Sequence, residues 1–157
     1  MSEGPAVVFD CNVFLQALAS PQGPAGRCVQ LAFEGKAKLF VSPQVLDEIR
    51  EVASNPILLP KLRIRPDRLN VLIENLPKAG VLIPIVPQLW TYPRDPDDAL
   101  YVNLAVAAGA GAIVSRDRDL LDLMDPSKPH AADFQSRFPN LKILDPLQFL
   151  REMGERR

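Results

Sequence analysis

Five acids scattered along the chain are of the type, and in the surroundings, that could do chemistry. They are Asp10 in VVFDCNVF, Glu48 in SPQVLDEIREV, Asp98 in DPDDALYVNLAVAAGA, and Asp117 and Asp119 in SRDRD. Asp10 is the hardest to read as decoration, because a carboxylate closing a buried apolar run costs several kcal/mol unless something opposite in sign meets it. If that strand continues, Asn12 faces the same side as Asp10 and can hold it, while Cys11 faces the other way as core filler. Glu48 has Val45 and Val52 as its i−3 and i+4 neighbours, which puts it at the border of a buried stripe, with Asp47 and Glu51 more exposed on either side. Each acid also has a plainer role on its own. Asp95 before Pro96 is a natural N-cap, Asp97 and Asp98 complement a helix dipole, Glu48 suits a solvated helix face, and Asp117 with Asp119 suits a turn. Gathered together they mean something else. Two like charges about 5 Å apart repel by roughly 3 kcal/mol at an effective dielectric near 20, so three or four converging carboxylates stay ionised only around cations. Oxygen-only donors select Mg²⁺ or Mn²⁺ over zinc. With no well-placed His, Cys or Lys nucleophile, such a set suits metal-assisted hydrolysis of a phosphodiester.

The elements that must position these acids follow from the apolar pattern. Short runs rich in Val, Ile, Leu or Phe at 6–9, 38–42, 81–86, 112–115 and 142–145 predict strands of a parallel sheet covered on both faces. Helical patterns fall between them at Pro24–Glu34, Pro43–Ala53, Pro66–Leu76 and Pro96–Ala108, with a last one at Pro146–Met153. Pro43, Pro66, Pro96 and Pro146 sit where a helix start tolerates them. Pro84 would delete a ladder bond inside VLIPIV, so that strand is expected at an edge or bulged. This alternation implies an α/β three-layer sandwich. In such sheets function collects beyond the carboxyl ends of the strands: Asp10 ends the first, and Asp117 and Asp119 follow the fourth. The stretches 54–65 and 124–140 read as irregular.

The totals bound the rest. A chain of 157 residues, 47% apolar and 24% charged, is expected to form one domain over 1–157 with its core at about 6–150. A net charge of −1 supplies no global field for nucleic acid, so any such contact must be local. Cys11 and Cys28 read as reduced, buried thiols rather than a disulfide framework. The N-terminus has no basic segment leading into a long apolar one and no run is long enough to span a bilayer, so a cytoplasmic location is expected.

Asp10 with Asn12, Glu48, Asp98 and Asp117, in this order and strand context, resemble the four motifs of the PIN-domain ribonucleases over about residues 6–150. The likeness is greatest to stand-alone PIN proteins classed as toxins of toxin–antitoxin pairs. It implies a five-stranded parallel sheet flanked by helices, a divalent-metal endoribonuclease activity, an antitoxin partner and, often, a homodimer. By the same resemblance Asp10, Glu48 and Asp98 match the acids that build the metal site, and Asp117 matches a more variable fourth. Asp119 is a neighbour able to share that role, and Ser115 matches a small hydroxyl residue supporting the site. Position 12 often carries Ser or Thr in the family and is Asn here. Asp97 beside Asp98 leaves the third acid's register open by one; Asp98 is preferred because Ala99 and Leu100 follow it as in the family's pattern.

RNA would need a local grip. Lys61, Arg63, Arg65 and Arg68 in PKLRIRPDR form a basic stretch suited to phosphates, or equally to an acidic partner protein. Arg116 and Arg118 alternate with the presumed site acids and would steady a phosphate or balance charge. Trp90 and Tyr92 suit core or interface packing better than stacking on a base, and His130 suits an exposed loop. Two rival readings remain. One is a PIN scaffold that binds RNA or protein without cleaving. The other is a phosphotransferase of the haloacid-dehalogenase type, whose second Asp is replaced here by Asn12.

Overall fold

The computed structural model describes residues 4–155. In chain order the elements are β1 (Ala6–Phe9), α1 (Cys11–Ala19), α2 (Pro24–Phe33), β2 (Lys38–Val41), α3 (Pro43–Ala53), α4 (Leu58–Leu62), α5 (Pro66–Ala79) and β3 (Val81–Leu82). A 3₁₀ turn (Pro96–Asp98) then leads into α6 (Ala99–Ala108), followed by β4 (Ala112–Val114) and α7 (Arg118–Leu121). A second 3₁₀ turn (Asp122–Met124), α8 (Ala131–Arg137), β5 (Lys142–Leu144) and α9 (Pro146–Glu152) complete the fold.

All five strands are parallel, in the order β3-β2-β1-β4-β5. Val8 of β1 sits beside Phe40 of β2 and Ile113 of β4, so β1 is the central strand and is buried on both faces, as its VVF composition requires. The chain winds outward from β1 first to one side and later to the other. The reversal leaves a crevice beyond the carboxyl ends of β1 and β4. This is the expected α/β sandwich. Helix α6, whose sequence is apolar nearly all round, packs on β1, β2 and β4, and Tyr101, Val102, Leu104 and Ala105 are all buried. Phe9 meets Phe14 of α1 and Phe149 of α9 with ring centroids 5.8 and 5.9 Å apart. Cys11 and Cys28 are both buried, and the Cys28 thiol donates to the Pro146 carbonyl at 3.6 Å. No described helix is long and apolar enough to cross a membrane.

The differences from the sequence reading have identifiable causes. The run at 81–86 yields a strand of only two residues, both exposed, at the sheet edge. Ile83 still donates to the Val41 carbonyl at 2.8 Å, and Pro84, which has no N–H, then ends the ladder. VVFDCNVF does not continue as a strand past Phe9: Asp10 is the N-cap of α1, and Asn12 lies in the first helical turn with its side chain exposed. The stretches taken as irregular contain α4 and α8, both short. Helix α5 runs past Leu76 to Ala79, accommodating Pro77 in its last turns.

Candidate active site

The acids meet at the crevice. Asp10 is extended (φ −69°, ψ 155°) at the end of β1 and only 3% exposed. As an N-cap its carboxylate accepts the Asn12 backbone N–H at 2.6 Å, and it also accepts the Ser115 hydroxyl. The amide of Asn12, not its side chain, is therefore what steadies Asp10. Ser115 is fully buried, and its Oγ accepts the Asp117 N–H at 2.9 Å. One hydroxyl thus ties the ends of β1 and β4 together. Asp117 in turn caps α7, accepting the Asp119 N–H at 2.8 Å.

Asp98 leaves the 3₁₀ turn pointing inward, 5% exposed, while Asp97 is exposed. The Oδ2 atom of Asp98 is buried and has no hydrogen-bond partner among the described residues. Burial, then the nearby charges of Asp117, Asp95 and Asp10, push its carboxyl up to about 9. Burial also raises Asp10 against the opposing hydrogen bonds from Ser115 and Asn12. Asp95, Asp98, Asp117 and Asp119 each offer a carboxylate oxygen within 4.8 Å of the others.

Asp95 is the acid that the sequence reading placed elsewhere. It makes no side-chain cap bond; its carboxylate joins the cluster, and burial raises its pKa. A signal was available: Asp95 and Asp98 are three residues apart, and a 3₁₀ turn eclipses i and i+3.

Glu48 lies outside that tight group but lines the same pocket, a cavity of about 420 Å³ that also takes in Asp10, Asp95, Asp98 and Asp117. Its carboxylate is half-buried, raised by burial, and accepts the Tyr101 hydroxyl at 2.9 Å. Tyr101 itself is 3% exposed and its oxygen accepts the Cys11 N–H at 3.1 Å. The phenol thereby fixes Glu48 to the first turn of the helix that Asp10 caps. Tyr101→Phe is expected to weaken Mn²⁺ binding about tenfold, as losing an orienting partner does. Titration calorimetry on the folded variant checks it, and an unchanged affinity would show that Glu48 needs no such anchor.

Among the described residues no Lys or Arg lines the acidic pocket. Arg94 pairs with Asp119 of the cluster at 2.6 Å and with Asp122 at 3.0 Å, while Tyr92 donates its hydroxyl to the Asp119 carbonyl at 2.9 Å. Sequence reasoning missed Arg94 because it lies before the fourth helical pattern, far in sequence from Asp119. Arg116 and Arg118 are exposed, and Arg116 lines an adjoining groove with Asn12, Leu15 and Leu58. Lys61, Arg63, Arg65 and Arg68 are exposed at the end of α4 and the start of α5, outside the pocket lining, with Arg65 paired to Asp67. Trp90 and Tyr92 are buried together, centroids 5.1 Å apart, as core packing expects, and His130 is exposed.

A buried, orphaned carboxylate oxygen in a pocket whose converging donors are oxygens fits a hard divalent ion. Every donor that converges here is oxygen; the Cys11 thiol in the pocket wall is held protonated, its pKa pushed up to about 12 by burial.

Comparison with known proteins agrees with this geometry. Over 148 residues, 93% of this chain and 90% of the relative, the sequence is 33% identical to Uncharacterized protein MJ1680 of Methanocaldococcus jannaschii. A family profile described as PIN domain matches residues 6–119, from the first residue of β1 to the last acid of the cluster, and the chain belongs to the PIN-domain family.

Proposed function

We propose that the protein is a divalent-metal-dependent endoribonuclease that hydrolyses RNA phosphodiesters, using Mg²⁺ or Mn²⁺. PIN domains are generally nucleases that use divalent metals, and the observation that carries the reading here is the unpartnered Asp98 oxygen within the carboxylate cluster. Asp10, Glu48 and Asp98 are the residues that would hold the ion, with Asp117 completing the set and Asp95 and Asp119 closing its outer side. A divalent ion in that place supplies acidity to a water and charge to the oxygen that leaves. The chain's own contribution is position. Ser115 and the Asn12 amide hold Asp10, Tyr101 holds Glu48, and Arg94 holds Asp119. Arg116, with Lys61, Arg63 and Arg65 farther out, is the candidate grip on the RNA backbone.

In the same proposal the protein is a single-domain cytoplasmic toxin restrained by an antitoxin, with a homodimer as its assembly. Pure protein incubated with single-stranded RNA is expected to cut it with Mn²⁺ and not with EDTA, and Asp10→Asn is expected to be inert. Equal inertness of wild type and variant in Mg²⁺ and Mn²⁺ would leave the non-catalytic scaffold as the reading.

A further inference from the structure

Beside the acidic pocket lies a second cavity of about 470 Å³, and the two share Glu48 and Asp97 as a common wall. Its sides come from the first turn of α3 (Gln44), the segment after β3 (Val86, Gln88, Thr91), the 3₁₀ turn (Pro96) and the start of α6 (Leu100). That segment has no regular hydrogen bonding of its own, yet it is strapped in place. The buried Asn103 carboxamide accepts the N–H groups of Leu89 at 3.1 Å and Trp90 at 2.9 Å, and donates to the Trp90 carbonyl at 3.0 Å. Behind it the Trp90 ring packs on Tyr92 and Phe134. The cleft is therefore preformed, and its size falls in the range of about 300–1,000 Å³ typical of small-molecule sites.

Its chemistry selects one part of a nucleotide. Among the described residues no Lys or Arg lines it, and Glu48 and Asp97 form the wall it shares with the acidic pocket, so a phosphate would be repelled. The walls offered by Val86, Pro96 and Leu100 suit a flat apolar face. Gln44 and Gln88 are exposed and engage no partner among the described residues, and each carboxamide carries both donors and an acceptor, the combination that reads the edge of a base.

We propose that this cleft is a nucleobase subsite, taking an unpaired base of the RNA strand next to the phosphate presented to the acidic pocket. The placement of that phosphate rests on the nuclease reading; the cleft itself does not. Amide NMR titration of metal-free protein with adenosine, guanosine, cytidine and uridine, which carry no phosphate, tests it separately. The expected result is saturable shifts of the Gln44 and Gln88 side-chain amides and the Thr91 backbone, with one nucleoside bound at least about threefold more tightly than the weakest. Thr91→Trp, at the exposed rim, fills the cleft and is expected to lower that affinity about tenfold while the rest of the spectrum keeps its dispersion. Gln44→Ala with Gln88→Ala is expected to level the preference among the four. Absence of saturable shifts at these amides, or binding that Thr91→Trp leaves intact, would overturn the proposal. Nucleoside binding by a protein that cuts no RNA would uphold the cleft and sink the nuclease reading; cutting without nucleoside binding would do the reverse.

Discussion

Asp98→Asn is expected to lower RNA cleavage about a thousandfold, or ~4 kcal/mol of transition-state stabilisation, and at the same time to make the metal-free protein more stable at pH 8. The two effects have one cause. The Asp98 carboxyl is raised from 3.8 to about 9 by burial and by the charges of Asp117, Asp95 and Asp10, and its Oδ2 has no partner among the described residues. A carboxyl whose folded pKa lies above its unfolded value contributes stability that is fully present below the unfolded pKa and is lost as pH rises toward the folded one. That loss falls in the window from about 3.8 to about 9. An amide does not ionise and avoids it. The gain at pH 8 is about 1–3 kcal/mol, less than full linkage because part of the charge is screened by solvent, and corresponds to roughly 3–8 °C in melting temperature. Calorimetry in EDTA reads it. Asp10→Asn should lose activity with a smaller gain: burial raises Asp10 too, but the Ser115 hydroxyl and the Asn12 N–H oppose that rise, and an amide in its place serves them less well. A metal-free Asp98→Asn protein that melts lower than wild type at pH 8 would mean the native carboxylate is satisfied and the pocket needs no ion.

How far the sequence revealed this arrangement depends on the range of the signal. Strands β1, β2, β4 and β5 were legible because buried parallel strands need unbroken apolar runs, α2, α3, α5 and α9 because each begins at Pro and carries a stripe, and α6 because Pro96 precedes a run that is apolar nearly all round. The helix α1 was hidden because VVFDCNVF is apolar on both sides of Asp10. Only the capping geometry of that Asp, with Val13, Phe14 and Ala17 spaced behind it, separates strand from helix. Asp10, Asp98 and Asp117 stood out from strand ends and helix starts, and all three line one pocket; Ser115, buried behind them, was suggested only by the family resemblance. Glu48 was found too, but its place in the pocket depends on Tyr101, whose role no periodicity could disclose because a buried tyrosine at the start of an apolar helix looks like core. Arg94 and Asp95 were missed for a related reason. What marks them is proximity to Asp117 and Asp119, some twenty positions on, which no local pattern discloses.

Manganese is expected to raise the melting temperature far more at pH 8 than at pH 5.5. A ligand that binds only the folded chain stabilises it by about 2.7 kcal/mol at a hundred times its dissociation constant, which for a domain of this size is roughly 5–10 °C. Binding must displace the proton that Asp98 keeps in the metal-free state, since its pKa is pushed up to about 9. Burial raises Glu48 and Asp10 in the same direction. Affinity should therefore climb with pH throughout that window, opposite to the stability of the metal-free protein, and the melting curves with Mn²⁺ and with EDTA should diverge as pH rises. An ion gathered elsewhere on the surface would not be coupled to the Asp98 proton and would show no such divergence. Combining Asp10→Asn with Asp98→Asn separates the cases. The double variant should lose the manganese shift at both pH values while remaining folded in EDTA. A shift of equal size at pH 5.5 and 8, or one that survives the double substitution, would place the ion outside this pocket and remove the physical basis for hydrolysis there.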